Sequence, residues 1–306
     1  MQSTSEMTPT ETLIADAERQ RRWLRRACWS SVAFVVVAIL CVIGNPLFVR
    51  WQLRQHGWIL KIESPRGGLS DWVPKWMVPW FGRIEYAFLQ EAPLRASDVE
   101  LLRRFNIEHM MLNKTEVSEP AFAAILKLSE IRELHFSSTR LDAAKIRQLA
   151  TLPHLGGIEL SDMVLDDSLL DALGSCQQVE GLKLNRATIK DESLRHLSRL
   201  PHFHALQLMN CAVTDAGVKQ IADACPELKL LVIDNTRMTD AALREVARLP
   251  HLNYLQLVDV PITDDGIRHL KSFSTLTTLV LQKTKVTSAG VTELRKSLPT
   301  LNVSIE

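Results

Sequence analysis

Residues 213–233 read VTDAGVKQIADACPELKLLVI, residues 238–257 read MTDAALREVARLPHLNYLQL, and residues 262–281 read ITDDGIRHLKSFSTLTTLVL. Each segment begins with an apolar residue followed by Thr-Asp, and each ends in a short apolar run. In the run that starts at Leu228, the first, fourth and sixth places are apolar, and the run that starts at Leu252 repeats this 24 residues later. The chain is therefore built from a repeated unit.

The same six-residue pattern recurs through the second part of the chain. A degenerate first unit begins at Ile84 and a closing strand at Leu301, so residues 84–306 contain about nine units of 24 residues. This period predicts an α/β solenoid, in which every unit adds one strand to a parallel inner sheet and one helix outside it. The remaining units start at Ile107, Ile131, Leu155, Val179, Phe203, Leu228, Leu252 and Leu276.

The spacing within a unit predicts which side chains face the core. Because side chains alternate along a strand, the fourth and sixth residues point into the core and the third and fifth point to the open face of the sheet. A threonine in the later units stands where its side-chain oxygen can cap the helix, and an aspartate follows where a negative charge suits the helix N-terminus. These threonines are Thr214, Thr239, Thr263 and Thr287.

An apolar stretch near the N-terminus predicts a membrane span. Ala27–Val49 holds 23 uncharged residues, enough for a helix to cross the ~30 Å hydrocarbon core. Five arginines precede this stretch and only Arg50 and Arg54 follow it closely, which predicts a cytoplasmic tail over residues 1–26 and an extracytoplasmic repeat domain. A cleaved signal peptide is the alternative, although 26 residues precede the run and no A-x-A-like site follows it.

Residues 50–83 differ in composition from the repeats. They contain five of the seven tryptophans, together with three prolines. The segment is predicted to be a linker and N-terminal cap that covers the open apolar end of the first unit. A membrane-surface or partner-docking element is the alternative. The five tryptophans are Trp51, Trp58, Trp72, Trp76 and Trp80.

Residues 211–228, CAVTDAGVKQIADACPEL, fit the unit L-x-x-L-x-L-x-x-[TC]-x-[VI]-T-D-x-G best. This unit resembles leucine-rich repeats of the cysteine-containing subclass, known from F-box-associated adaptors. With the N-terminal span and the Trp/Pro-rich bridge, the whole arrangement resembles the membrane-anchored leucine-rich-repeat proteins of planctomycete bacteria. The resemblance implies the solenoid fold and a binding role towards diverse partners.

Composition and motifs argue against several classes of function. The net charge of +1, from 36 basic and 35 acidic residues, predicts that nucleic acid is not a partner. No catalytic, metal-binding or phosphate-binding motif is present, so no enzymatic activity and no cofactor are expected. The cysteines of the repeat domain, Cys176, Cys211 and Cys225, are predicted to be small core residues.

The open face of the central units holds the candidate partner-binding residues. The third strand position is occupied by Gly157, Gly181, Ala205 and Leu230, where other units carry larger side chains, so a shallow trough is expected. Polar contacts are predicted beside the trough, and an exposed apolar edge is predicted at its end. The candidates are His135, Glu159, Lys183 and Gln207 for the polar contacts, and Leu230, Val232 and Tyr254 for the apolar edge.

These observations predict a non-enzymatic, membrane-anchored module that displays its open sheet face to a protein or peptide partner outside the cytoplasm. A structural scaffold or spacer of the cell envelope is the first alternative. An adaptor role like that of the F-box proteins is another, although no F-box is recognisable before the repeats. An enzyme would depend on His135, Glu159 and Lys183, which neighbouring strands bring side by side.

Overall fold

Parallel strands in chain order dominate the computed structural model, which describes residues 46–62 and 84–305. Within these ranges an 11-stranded sheet follows the order β1-β2-β3-β4-β5-β7-β9-β10-β11-β12-β13. Only the β1–β2 pair is antiparallel there, and β6 and β8 form a separate parallel pair. The strands are β1 (Trp58–Ile62), β2 (Ile84–Gln90), β3 (His109–Asn113), β4 (Glu133–Ser137), β5 (Gly157–Ser161), β6 (Val164–Leu165), β7 (Gly181–Asn185), β8 (Thr188–Ile189), β9 (Ala205–Met209), β10 (Leu230–Asp234), β11 (Tyr254–Val258), β12 (Thr278–Gln282) and β13 (Asn302–Ile305).

The parallel strands pair in register, residue for residue. Gly157 pairs with Gly181, which in turn pairs with Ala205. Burial alternates along the strands, so that Leu206 and Leu208 of β9 are fully buried while the residues beside them are half-buried. The predicted α/β architecture with a parallel sheet is confirmed for the described repeats.

Helices cover the buried side of the sheet. Val218 and Ile221 of α6, for example, belong to the same apolar core as Leu206 of the sheet. The unit that follows β8 differs from the prediction, because residues 191–199 form a 3₁₀-helix. The α-helices are α1 (Pro46–Gln55), α2 (Ala96–Leu102), α3 (Glu119–Ile125), α4 (Ala143–Gln148), α5 (Asp167–Leu173), α6 (Asp215–Ala224), α7 (Ala242–Val246), α8 (Asp264–Ile267) and α9 (Ser288–Ser297), and the 3₁₀-helices are Arg103–Phe105, Leu149–Thr151, Asp191–Arg199 and Arg268–Ser272.

The Thr-Asp pairs join neighbouring repeats. Thr263 accepts a hydrogen bond from the backbone N–H of Asp265 and caps α8, as predicted. Its own backbone N–H and hydroxyl donate to the carboxylate of Asp240 in the preceding unit, at 2.8 and 2.6 Å. Asp240 therefore acts mainly as an acceptor for the next repeat, a role that the helix-dipole interpretation of the sequence had missed. Asp191, Asp215 and Asp264 accept from Thr214, Thr239 and Thr287 in the same way.

Glycine in the Thr-Asp-x-Gly motif makes room for this bridge. A Cβ atom at Gly266 would overlap the Asp240 carboxylate. Gly217 and Gly290 stand in the same relation to Asp191 and Asp264. Ala242 holds the equivalent position at the bridge between Asp215 and Thr239, so the bridge also forms without glycine, and glycine accommodates the closer approach at the other three bridges.

Residues 46–62 lie against the first repeat. Leu53 of α1 and Trp58 of β1 are buried, and the Arg50 guanidinium lies 5.3 Å from the ring centroid of Phe105. Buried Asp98 accepts a hydrogen bond from Trp58 Nε1 at 3.2 Å, and its other carboxylate oxygen lies 2.7 Å from His56 Nδ1. These contacts place residues 46–62 against the first repeat, and the assignment of residues 50–83 as a cap stays a prediction. Trp72, Trp76 and Trp80, also assigned to the cap, lie outside the described residues.

The predicted membrane span, Ala27–Val49, falls mostly outside the described residues. Its last four positions belong to α1, which begins at Pro46 and continues past the predicted boundary to Gln55. Within residues 46–62 and 84–305, no helix combines the length and the apolar character needed to cross a bilayer. The span and the topology derived from it remain predictions.

We expect Asp240→Ala to lower the free energy of unfolding by about 1–3 kcal/mol, because the backbone N–H and hydroxyl of Thr263 lose their acceptor. Urea denaturation of the full-length chain in detergent measures the change. Asp265→Ala is the control, since this side chain is 76% exposed and, among the described residues, forms its ion pair with Arg268, one turn away. Equal losses in the two variants would contradict the bridging role of Asp240.

Candidate functional site

A depression lies on the open face where three adjacent strands carry their smallest side chains. Gly157, Gly181 and Ala205 occupy the same position of β5, β7 and β9 and form its floor, together with Gly156. The depression has a volume of about 750 Å³, and we call it the basin. The residues two positions further along the strands, Glu159, Lys183 and Gln207, border one side, and the residues before the strands, including His154 and His202, border the other.

Two of the floor glycines are not required by the fold. Gly156 and Gly181 have no positive φ, a Cβ at Gly156 would meet nothing within 4 Å, and one at Gly181 would make an ordinary contact with Ala205 at 3.5 Å. Gly157 differs, because a Cβ there would lie only 3.0 Å from Glu133 Cγ. Glycine weakens a strand and often marks a place where a ligand approaches closely. Gly156 and Gly181 thus keep the floor open at a cost in stability.

A network of ionisable side chains borders the basin. His135 Nε2 lies 3.2 Å from Glu133 Oε2, and His135 Nδ1 lies 3.1 Å from Glu159 Oε2. Ser161 Oγ donates to the other carboxylate oxygen of Glu159 at 3.1 Å. The imidazole of His135 therefore lies between two carboxylates: Glu133 stands two residues before it on β4, and in-register pairing of β4 with β5 brings Glu159 beside it.

The network extends towards the first repeats through His109. Its ring stacks on Tyr86, with 4.5 Å between the ring centroids. Nδ1 of His109 lies 3.3 Å from Glu133 Oε2, within the distance of an ion pair but outside the geometry of a hydrogen bond. Tyr86, His109 and Glu133 occupy the third strand position in successive units, so they form a raised wall beside the floor.

Each charged group of this network shifts the pKa of its neighbours so that they too stay charged. Burial alone would lower the pKa of His135, but its hydrogen bonds to Glu133 and Glu159 outweigh that effect and raise it to about 9. The hydrogen bond from His135 lowers the pKa of Glu133 to about 2 against the opposing effect of burial, and it also lowers the pKa of Glu159. A general base works best with a pKa near the operating pH, so this histidine is poorly suited to proton transfer at neutral pH.

The predicted polar residues border the basin, whereas Val232 of the predicted apolar edge is buried. Val232 is only 6% exposed, because in-register pairing sets it between the longer side chains of Gln207 and Gln256. Leu230 and Tyr254 are half-buried, and the Tyr254 hydroxyl donates to Gln256 Oε1 at 2.9 Å. None of the three apolar residues lines the basin.

Residues just before the strands complete the basin and were missed in the sequence. The second position of each unit carries a polar side chain except in the unit that starts at Leu155, where it is Gly156. This exception was the signal for the basin in the sequence. His154 and His202, each preceded by Leu-Pro, are exposed at turns between units and border the basin. Across residues 46–62 and 84–305, no group of three or more His, Cys, Asp or Glu side chains has an arrangement that suits a metal ion.

The cysteines of the described residues are not part of the basin. Cys176, Cys211 and Cys225 are buried and unpaired, as predicted for core residues. Burial raises the pKa of Cys176 to about 11 and that of Cys225 to about 12. These thiols therefore stay protonated at neutral pH and unreactive.

Comparisons with known proteins agree with the repeat architecture. Residues 199–222 match the family model described as leucine-rich repeat. A search of curated protein sequences gave no match. Among solved structures, the chain is similar to one in the crystal structure of a TLR13–ssRNA13 complex, with 18% identity, a TM-score of 0.49 and coverage of 73% of this chain. This chain spans only 36% of that chain. The repeat match and the parallel sheet support a leucine-rich-repeat protein, while the cysteine-containing subclass and the planctomycete likeness stay predictions.

We expect the stability of the wild type to fall more steeply than that of His135→Gln between pH 6 and 9.5. A raised pKa means that the stabilisation by protonated His135 is complete below about pH 6.5 and is lost as the pH rises through about 9. The difference should be on the order of 2 kcal/mol, measured by urea denaturation across this range.

The exposed His202 provides the control for this titration. Replacement by glutamine there should leave the pH dependence of the wild type unchanged, because His202 has no carboxylate within 4 Å among the described residues. If His135→Gln and the wild type lose stability in parallel, His135 is not held in its protonated form by the two glutamates.

Proposed function

We propose that this chain is a non-enzymatic interaction module, anchored in a membrane by Ala27–Val49, whose basin binds a protein partner outside the cytoplasm. The observation that carries the proposal is the open floor of the basin. Gly156 and Gly181 have room for a side chain and no conformational need for glycine, yet both stand in or beside a central strand. A partner that approaches the backbone closely gives a reason for these glycines that the fold alone does not give.

The chemistry of the basin favours a protein over a nucleic acid. Its lining combines carboxylates, imidazoles, one lysine, one arginine and exposed backbone. Glu133, Glu159 and Glu180 offset the cations, so the basin lacks the excess of positive charge that phosphate backbones require. Mixed polar groups around an open floor are typical of protein interfaces, where shape and a few anchor contacts decide affinity.

Support for the anchor and the topology comes from the sequence. Five arginines precede Ala27–Val49 and two follow it closely, which favours a cytoplasmic N-terminus. In this arrangement the repeats lie on the far side of the membrane, and the basin is available to partners there.

Filling the floor should abolish partner binding. We expect Gly181→Trp to reduce the amount of partner that the full-length chain captures from its native membranes by ~10-fold or more, because the indole occupies the space above Gly181. The melting temperature should change little, since a Cβ at this position makes only an ordinary contact. Affinity capture followed by quantitative mass spectrometry measures the effect.

Thr278→Trp is the control for added bulk. Thr278 holds the same position of β12 on the same face, but it lies outside the basin. Its replacement should leave capture unchanged. If Gly181→Trp captures like the wild type while Lys219→Glu on the exposed side of α6 abolishes capture, the partner binds the helical side. If no captured protein depends on Gly181, the scaffold alternative is favoured.

Protease protection tests the topology. With the outer surface of spheroplasts exposed to protease, we expect the repeat domain to be digested while an N-terminal tag survives. The reverse pattern, with the repeats protected and the tag removed, would show that the orientation is inverted. Release of the repeat domain without detergent would argue for cleavage of the N-terminal segment.

A further inference from the structure

Lys183 is left without a carboxylate partner in the basin. Three lysines in the described ranges have partly or fully buried side chains, and two of them are paired. Lys145 Nζ lies 2.5 Å from Glu119 Oε1, and Lys271 Nζ lies 2.9 Å from Glu293 Oε1. Lys183 has no carboxylate within 4 Å among residues 46–62 and 84–305. Lys183 therefore differs from the other two in that its ammonium group has no carboxylate partner within the protein segments described.

The neighbouring side chains explain why Lys183 stays unpaired. In-register pairing sets Lys183 between Glu159 and Gln207. The carboxylate of Glu159 is already engaged by His135 and Ser161. Lys183 and Glu159 still attract each other through space, and this attraction helps to keep the carboxylate ionised. On its other side, Gln207 offers an uncharged amide with no hydrogen bond to the described residues. The ammonium and the amide are therefore available to a group from outside.

The floor determines where such a group would lie. Gly181 precedes Lys183 by two residues in β7, so both face the same side of the sheet, about 7 Å apart along the strand. A chain segment resting on Gly181 is flanked by Gly157 and Ala205, which raise no barrier on either side. Its side chains reach Lys183 and Gln207 directly.

We infer that the partner of the basin is a protein segment that presents a carboxylate to Lys183 Nζ while its backbone lies on the Gly181 floor. The inference rests on the proposed function and adds the chemistry of the partner. The amide of Gln207 lies beside Lys183 on the next strand and can donate to the second carboxylate oxygen. A carboxylate fits better than a phosphate group, because Glu159 on the adjacent strand repels a group of about two negative charges more strongly than a group of one.

Two matched pools of synthetic peptides test this assignment. In the first pool, acetylated and amidated dodecapeptides draw every position from Asp, Ser, Tyr and Leu, and in the second pool Asn replaces Asp. We expect the full-length chain in detergent micelles to retain the Asp pool ~10-fold more strongly than the Asn pool, as a charge-assisted hydrogen bond in a half-buried site implies.

Variants locate the carboxylate contact. Lys183→Gln should remove the preference for the Asp pool, whereas Lys229→Gln, at an exposed lysine before β10, should preserve it. Retention of the Asp pool by Lys183→Gln at the wild-type level would overturn the inference. So would retention of neither pool above that of empty micelles.

The outcomes also separate this inference from the proposed function. If the wild type retains both pools equally and Gly181→Trp retains neither, the basin is a binding site and the carboxylate assignment is wrong. If Gly181→Trp retains the pools as well as the wild type does, the basin is not the binding site, and both proposals fail. If Lys183→Gln loses retention of the Asp pool alone, and Gly181→Trp loses retention of both pools, both proposals are supported.

Discussion

In-register pairing of the parallel strands is the constraint on which the rest of the structure depends. Each residue of one strand pairs with the equivalent residue of the next, so a 24-residue period becomes columns of side chains ~4.8 Å apart. A slip of one residue would exchange the buried and open faces. Because the register holds, small residues at equivalent positions of three units add up to one continuous floor, which no single unit could form.

The same columns decide how charge is distributed on the open face. Glu133 and His135 lie two residues apart on one strand, and Glu159 lies beside His135 on the next, so the opposite charges offset the cost of burying one another. Lys183 comes next in the column and finds the nearest carboxylate already engaged. On one side of the open face, the charges of Glu133, His135 and Glu159 are paired with one another. On the other side, Lys183 and Gln207 still have hydrogen-bond donors available. That division follows from the order of four residues in three consecutive units.

The sequence predicts helix caps and the columns of neighbouring side chains that the period defines, but it misses the side-chain contacts that join two units. Thr214 was assigned as a helix cap because the capping threonine and the helix it caps are adjacent in the chain. The bridge from Asp240 to Thr263 connects residues 23 positions apart and leaves no local signal. Val232 was assigned to the exposed edge from its position alone, although its exposure depends on Gln207 and Gln256 in the flanking strands. The polar side of the basin was predictable because the period itself states which residues are neighbours.

The bridge between units also affects how such an array can change in length. Asp215, Asp240 and Asp264 each accept from the threonine of the following unit, so these junctions share the same pair of hydrogen bonds. Duplication or loss of one whole unit in this part of the chain would preserve every junction. A duplication among the units of Gly157 and Gly181 would also extend the sheet, but it would widen the floor by one strand and move Lys183 away from Glu159 or Gln207. A change in the number of C-terminal units therefore keeps the junctions as they are, whereas a change in the number of basin units alters the width of the floor and the neighbours of Lys183.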